Sequence, residues 1–262
     1  MDNLRPSGRH QITLERAREL MAGPLADVCP GILRDCCAPI FWFRGDRTDQ
    51  SILNNGTVTF VRTPELVLGV TAAHVLQGYL DDDAKFDRVT LQLFDAVVDD
   101  LQARIIHLSD HLDVATFAVD DALLARLGKR VVPLANWPPQ VPQEGRGIML
   151  AGYPAVERLV ARKNLDFGLF TALVTARTVT DKQITWLVER DAMLVDARIP
   201  MPPPNYGFGG VSGGPLVTVL ESEQSIATFA LGGIISEHPD YAGNEFAIER
   251  VVAVRGDFIT SN

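Results

Sequence analysis

The sequence predicts an all-β protein in two halves, and three observations carry that expectation. Short runs rich in Val, Ile, Leu, Phe and Thr recur from Ala38 onward, separated by turn residues such as Asn54-Asn55-Gly56 and Thr63-Pro64-Glu65. A stretch from Pro133 to Gly147 carries four prolines and two glycines and reads as a surface crossover between two strand-rich regions. Many short strands at regular spacing indicate a sandwich or barrels, not a βαβ protein.

In chain order, residues 1–35 read as an extension. Leu14, Ala17 and Met21 share one face of a helix over 13–21, and Pro24 and Pro30 are expected to end it. Strand runs follow at 38–44, 56–62, 66–71, 88–94, 102–107 and 113–119, then a short helix over 121–127. Together they make a first half, residues 36–132. Beyond the linker at 133–147, runs at 147–152, 166–180, 183–190, 192–198, 215–220, 226–236 and 245–252 make a second half, residues 148–262. The halves share no sequence repeat.

Composition narrows the function. The chain of 262 residues is 47% apolar, enough for a real core, and no apolar run is long enough to span a bilayer. Its net charge of −9 argues against nucleic acid or an anionic membrane surface as partner. The acidic clusters Asp81-Asp82-Asp83, Asp99-Asp100 and Asp120-Asp121 lack EF-hand spacing and read as solvated turns. The three cysteines, Cys29, Cys36 and Cys37, lie close together and offer neither a disulfide framework nor a full zinc set, so reduced structural thiols are expected. Residues 1–18 have no apolar signal region. A cytoplasmic protein without cofactor or metal is expected.

Three segments carry chemistry. A serine hydroxyl becomes a useful nucleophile only with a base to take its proton and N–H donors for the developing oxyanion. Gly210-Val211-Ser212-Gly213-Gly214-Pro215 suits that need, because glycines on both sides let the backbone approach a substrate. The same letters fit the nucleophile elbow of α/β-hydrolases, but an elbow leads into a helix and is followed by an acid and then a histidine. Here Pro215 to Leu220 is a strand run, and only His238 follows. Val70-Thr71-Ala72-Ala73-His74-Val75 places a histidine at a strand end, opening a short helix, behind small residues that permit a tight turn. Leu112-Asp113-Val114-Ala115 sets an aspartate at an apolar strand, a costly position unless its charge is used. His107 and His111 are alternative bases without the Thr-Ala-Ala context.

Thr71-Ala72-Ala73-His74, Asp113-Val114-Ala115 and Gly210 to Pro215 together resemble the three signature segments of trypsin-like (chymotrypsin-fold) serine peptidases, in the family's order, 39 and 99 residues apart. Ala151-Gly152-Tyr153-Pro154 and Gly233-Ile234-Ile235-Ser236 resemble the strand opening the second barrel and the strand after the nucleophile. The resemblance covers residues 38–250. It implies two six-stranded antiparallel β-barrels with a short N-terminal helical extension, the first carrying His74 and Asp113 and the second Ser212. It also implies an endopeptidase in which His74 is the base, Asp113 orients it, Ser212 attacks, and the N–H groups of Gly210 and Ser212 form the oxyanion hole. Ser236 and His238 would lie at the substrate strand and pocket, and Tyr206 and Gly207 at the pocket base.

One departure matters. Secreted trypsins carry an acidic residue before the nucleophile, which pairs with a new N-terminal amine after cleavage. Here the position holds Val211. An intracellular or bacterial-style member without a PDZ domain is therefore expected, its oxyanion loop ordered by packing. Its partners would be a protein or peptide substrate and, where a trigger exists, an activating protein. A catalytically silent binding module on the same fold, or an esterase using the same triad, are the competing readings.

Overall fold

The computed structural model describes residues 10–45, 53–132, 140–161, 164–187, 206–222, 225–236 and 250–255. The expected runs at 192–198 and 245–249, and His238, lie outside them.

The first half forms one antiparallel sheet of seven strands. In chain order these are β2 (Cys37–Arg44), β3 (Leu53–Arg62), β4 (Val67–Thr71), β5 (Val89–Leu93), β6 (Ala96–Val97), β7 (Ile105–Ser109) and β8 (Val114–Val119). Their spatial order is β6-β5-β2-β3-β4-β8-β7. The second half adds β9 (Gly147–Gly152), β12 (Phe170–Thr175), β13 (Thr178–Val179), β14 (Gln183–Leu187), β15 (Pro215–Ser222), β16 (Ser225–Ser236) and β17 (Arg250–Arg255), in the order β12-β9-β15-β16-β17-β14-β13. A hairpin of β10 (Arg158–Ala161) and β11 (Asn164–Phe167) stands apart.

The fold is thus mostly β and antiparallel, but among the described residues neither sheet closes into a six-stranded barrel. The expected strand at 102–107 divides into helix α4 (Leu101–Arg104) and β7, and the single run at 166–180 is broken into β11, β12 and β13.

The N-terminal segment behaves differently from the expectation. β1 (His10–Gln11) pairs with the second sheet through Gln11 opposite Leu220. Helix α1 (Leu14–Met21), capped by the Thr13 hydroxyl, is followed by helix α2 (Pro24–Cys36), so neither proline ends the helical segment. Pro24 stands in the first turn of α2, where the missing N–H has no partner to lose; Pro30 is carried inside it. Ile12, Ala17, Leu20, Leu33 and Cys36 are buried with Val61 and Val70 of the first sheet and Met149 and Val217 of the second. The segment expected to be an extension is therefore part of the core shared by the sheets. Each sheet also has a core of its own, around Phe60, Leu76 and Phe117 in one and Ile148, Trp186 and Leu216 in the other.

Helix α3 (Ala73–Lys85) is longer than expected and carries Asp81, Asp82 and Asp83, which are not turn residues. Asp82 is buried: its carboxylate accepts the Trp42 indole N–H at 2.9 Å, the Asn54 amide at 3.2 Å and two Arg44 guanidinium N–H groups at 2.7 and 3.1 Å. Those donors, Arg44 first, hold its carboxyl below the usual range. The helix is thereby pinned over β2 and β3. Helix α5 (Asp121–Arg126) is capped by the Asp120 carboxylate. All three cysteines are unpaired and buried. No helix among the described residues is long and apolar enough to cross a membrane.

Candidate active site

The pairing of β4 with β8 decides where His74 and Asp113 meet. Thr71 lies opposite Ala115, so the residues just after β4 and just before β8 emerge at the same sheet end. His74 follows Thr71 by three residues, in the first turn of α3. Ala72 and Ala73 between them are fully buried, and only small side chains fit there.

Asp113 precedes β8 with φ +50°, a left-handed conformation that aspartate tolerates better than most residues. Its Oδ1 accepts the His74 backbone N–H at 3.0 Å, capping a helix whose N-cap residue, Ala72, has no side chain to do so. Both carboxylate oxygens also reach His74 Nδ1, at 3.0 and 2.9 Å. An ionised carboxylate only accepts, so Nδ1 carries a proton, and in the neutral imidazole the lone pair is then on Nε2. The His74 side chain is 45% exposed and that of Asp113 22%, so the imidazole is open to solvent and the carboxylate partly hidden.

Ser212 lies on the loop entering β15. The two N–H groups expected to form an oxyanion hole belong to the 209–210 and 211–212 peptides. In a trans peptide the C=O and N–H point opposite ways, so fixing one aims the other. Gly209 O accepts from Ala155 N–H at 2.7 Å, and Val211 O from Gly214 N–H at 2.9 Å. Neither the Gly210 nor the Ser212 N–H donates to a protein acceptor among the described residues. Gly210 has φ +101°, and a Cβ there would run into the Asn55 amide and the Tyr153 carbonyl, so glycine is required. Val211 is 4% exposed and packs with Tyr206, Leu150 and Phe170. Its side chain fills the space above Gly152, where an added Cβ would stand 2.7 Å from the Val211 Cβ.

His74, Gly210 and Ser212 line one cleft of about 410 Å³, whose far wall is Trp42, Arg44 and the buried Asp82. Among the described residues no group of His, Cys, Asp and Glu is arranged to hold a metal ion.

The remaining expected residues lie around this centre. Tyr206 is buried, its ring 5.8 Å from that of Phe170 and 5.0 Å from that of Phe208. Its hydroxyl donates to Glu157 at 2.8 Å; burial, then Glu157, pushes the phenol up. Gly207 lies beside Val156. Ser236 is buried at the end of β16, opposite Val252 of β17 and next to Ile235, which exchanges backbone bonds with Gly213 and Gly214. Of the alternative bases, His111 contacts Lys182 at 3.1 Å, and the enclosed Nε2 of His107 has no partner among the described residues.

Sequence reasoning missed the residues that grip the Ser212 loop from the first sheet. Thr57 N–H donates to Ser212 O at 2.8 Å, Thr57 Oγ1 to Gly210 O at 2.8 Å and Thr59 Oγ1 to Gly213 O at 2.8 Å. Asn55 donates to Tyr153 O at 2.9 Å. In the sequence Asn54-Asn55-Gly56 reads as a turn, and Thr57 and Thr59 as members of the strand run 56–62; Gly56 is needed because a Cβ would strike Val75.

No family model matches the sequence, and no curated protein matches it. Solved structures do. The serine endoprotease from Yersinia pestis is 14% identical with a TM-score of 0.48, the match covering 88% of this chain and 63% of that one. The Rv3671c protease from M. tuberculosis in its active form is 14% identical with a TM-score of 0.42, the match covering 89% of this chain and 82% of that one. The chain spans less than two thirds of the length of the Yersinia protein.

Proposed function

We propose that this chain is a trypsin-like serine endopeptidase. One observation carries the reading: a histidine held by a carboxylate at Nδ1, and a serine whose own N–H and that of Gly210 have no protein partner among the described residues, border one cleft. His74 takes the Ser212 proton as Oγ attacks the scissile carbonyl. The imidazolium that forms is stabilised by Asp113. The carbonyl oxygen, now negative, is received by the two N–H groups. His74 then gives the proton to the leaving amine, and water hydrolyses the acyl-enzyme with the same groups in the same roles.

The finer fold of two six-stranded barrels belongs to this proposal, as do the pocket roles of Tyr206, Gly207, Ser236 and His238. So does a cytoplasmic location, supported by three buried, unpaired thiols. The test is Ser212→Ala. Peptidase activity is expected to fall about 10⁴- to 10⁶-fold with the fold intact, and labelling by a fluorophosphonate probe to vanish. A variant that keeps more than about a tenth of the activity overturns the assignment.

A further inference from the structure

We propose that Thr57 is a positioning residue for the oxyanion hole, its hydroxyl locking the peptide that lies between the two donor peptides. The inference rests on the proposed reaction and concerns a residue outside the triad.

The oxyanion donors sit on the 209–210 and 211–212 peptides, and the 210–211 peptide joins them. The orientation of that middle peptide sets ψ of Gly210 and φ of Val211, two of the torsions that place the donor peptides relative to each other. Gly210, at φ +101°, offers little resistance of its own. The middle peptide is held at both ends. Its N–H, on Val211, donates to Phe208 O at 3.1 Å, within the loop itself. Its carbonyl, on Gly210, accepts from Thr57 Oγ1 at 2.8 Å, and that is the anchor from outside the loop.

The hydroxyl cannot turn away. It accepts the Tyr153 N–H at 3.0 Å, so its own proton is left for Gly210 O. Thr57 is fully buried, so its hydroxyl is shielded from solvent. Its backbone extends the hold: the N–H reaches Ser212 O at 2.8 Å, and the carbonyl accepts from Thr71 Oγ1 at 2.7 Å, three residues before His74. One residue of β3 therefore touches the nucleophile's loop, the strand end at Tyr153 and the segment that leads to the base.

The apolar packing of Val211 fixes where the loop sits, but packing does not orient a peptide plane. Ala155 N–H on Gly209 O and Gly214 N–H on Val211 O orient the donor peptides themselves, and the peptide that joins them is oriented from outside the loop by the Thr57 hydroxyl. It does for this loop what an ion pair could not do with valine at position 211.

Thr57→Val keeps the shape and removes the hydroxyl, and Thr57→Ser keeps the hydroxyl. Hydrolysis of a p-nitrophenyl ester is measured with kcat expressed per folded molecule, the folded fraction being read from the thermal transition. Thr57→Val is expected to lower kcat about 10- to 100-fold, somewhat less than removal of one oxyanion donor, with KM within about twofold. Thr57→Ser is expected to restore kcat to within about threefold of the parent. A merely structural role would lower the folded fraction and leave kcat per folded molecule unchanged, which overturns the inference; so does a serine variant as slow as the valine one. A parent chain that neither hydrolyses the ester nor labels with a fluorophosphonate overturns the proposed reaction and this inference together.

Discussion

Asp113 carries two jobs on one carboxylate, and that makes its amide variant informative. Oδ1 takes the His74 backbone N–H, which an amide NH₂ could not accept, so the oxygen of an asparagine would stay there. Its NH₂ would then face Nδ1 and force the proton onto Nε2, where the base needs its lone pair. Asp113→Asn is therefore expected to lower kcat by about 10³- to 10⁴-fold at neutral pH while the helix cap survives. Steady-state kinetics beside a thermal melt checks this, and a melt that collapses along with activity would mean that the cap was lost too. The same base fixes the sign of the pH effect on rate. A protonated imidazole cannot accept the serine proton, so activity falls on acidification; a flat profile between about pH 5 and 8 would point to a different base. These residues were legible in the sequence because their surroundings are local: small residues before His74, glycines around Ser212, an acid at the mouth of an apolar strand. Thr57 was not, because its partners Gly210 and Tyr153 are 153 and 96 positions away and only the fold brings them to it.

At the scale of elements, a buried contact helps to seat both α3 and the loop that carries Ser212. For α3 it is Asp82 against Trp42, Arg44 and Asn54. Its carboxyl is depressed in the folded state, so the stability it contributes is present above the unfolded value of about 3.9 and is lost as pH falls through the lower folded value. Asp82→Asn is expected to flatten the acid limb of the stability profile below about pH 4, and Asp82→Ala to cost about 2 kcal/mol or more at neutral pH by stranding the Trp42 and Arg44 donors. Denaturant unfolding between pH 2.5 and 7 checks both, and an acid limb unchanged in the asparagine variant would exclude the carboxylate as its source. For the loop it is Val211 among Tyr206, Leu150 and Phe170. With the loop seated by packing, the chain with its Met1 end intact, verified by mass, is expected to label with a fluorophosphonate. Labelling that appears only after trimming and depends on the new amine would refute order by packing. Patterning located both elements but misread α3, since three consecutive aspartates look like a turn until a tryptophan and an arginine from β2 are placed against the middle one.

For the whole molecule, the two sheets and the N-terminal helices share a core, and the thiols are inside it. Burial pushes Cys29 and Cys37 up to about 12 and Cys36 well above its ordinary value, so none presents a thiolate near neutral pH. Iodoacetamide is expected to leave the native protein unmodified over minutes and to add three groups once it is unfolded, and dithiothreitol to leave activity unchanged. Rapid native alkylation, read by mass, would mean that the α2 region opens. By itself the sequence determined the β character and pointed to the residues proposed here to react, because alternation, turn residues and glycine placement act over a few neighbouring positions. Tertiary structure alone decided that the N-terminal helices belong to the core, that the described sheets run as open paths, and that threonines of β3 hold the nucleophile loop. Those outcomes depend on strand register and on which buried donor meets which carbonyl. Contacts of that kind join residues roughly a hundred or more positions apart, where local pattern carries no information.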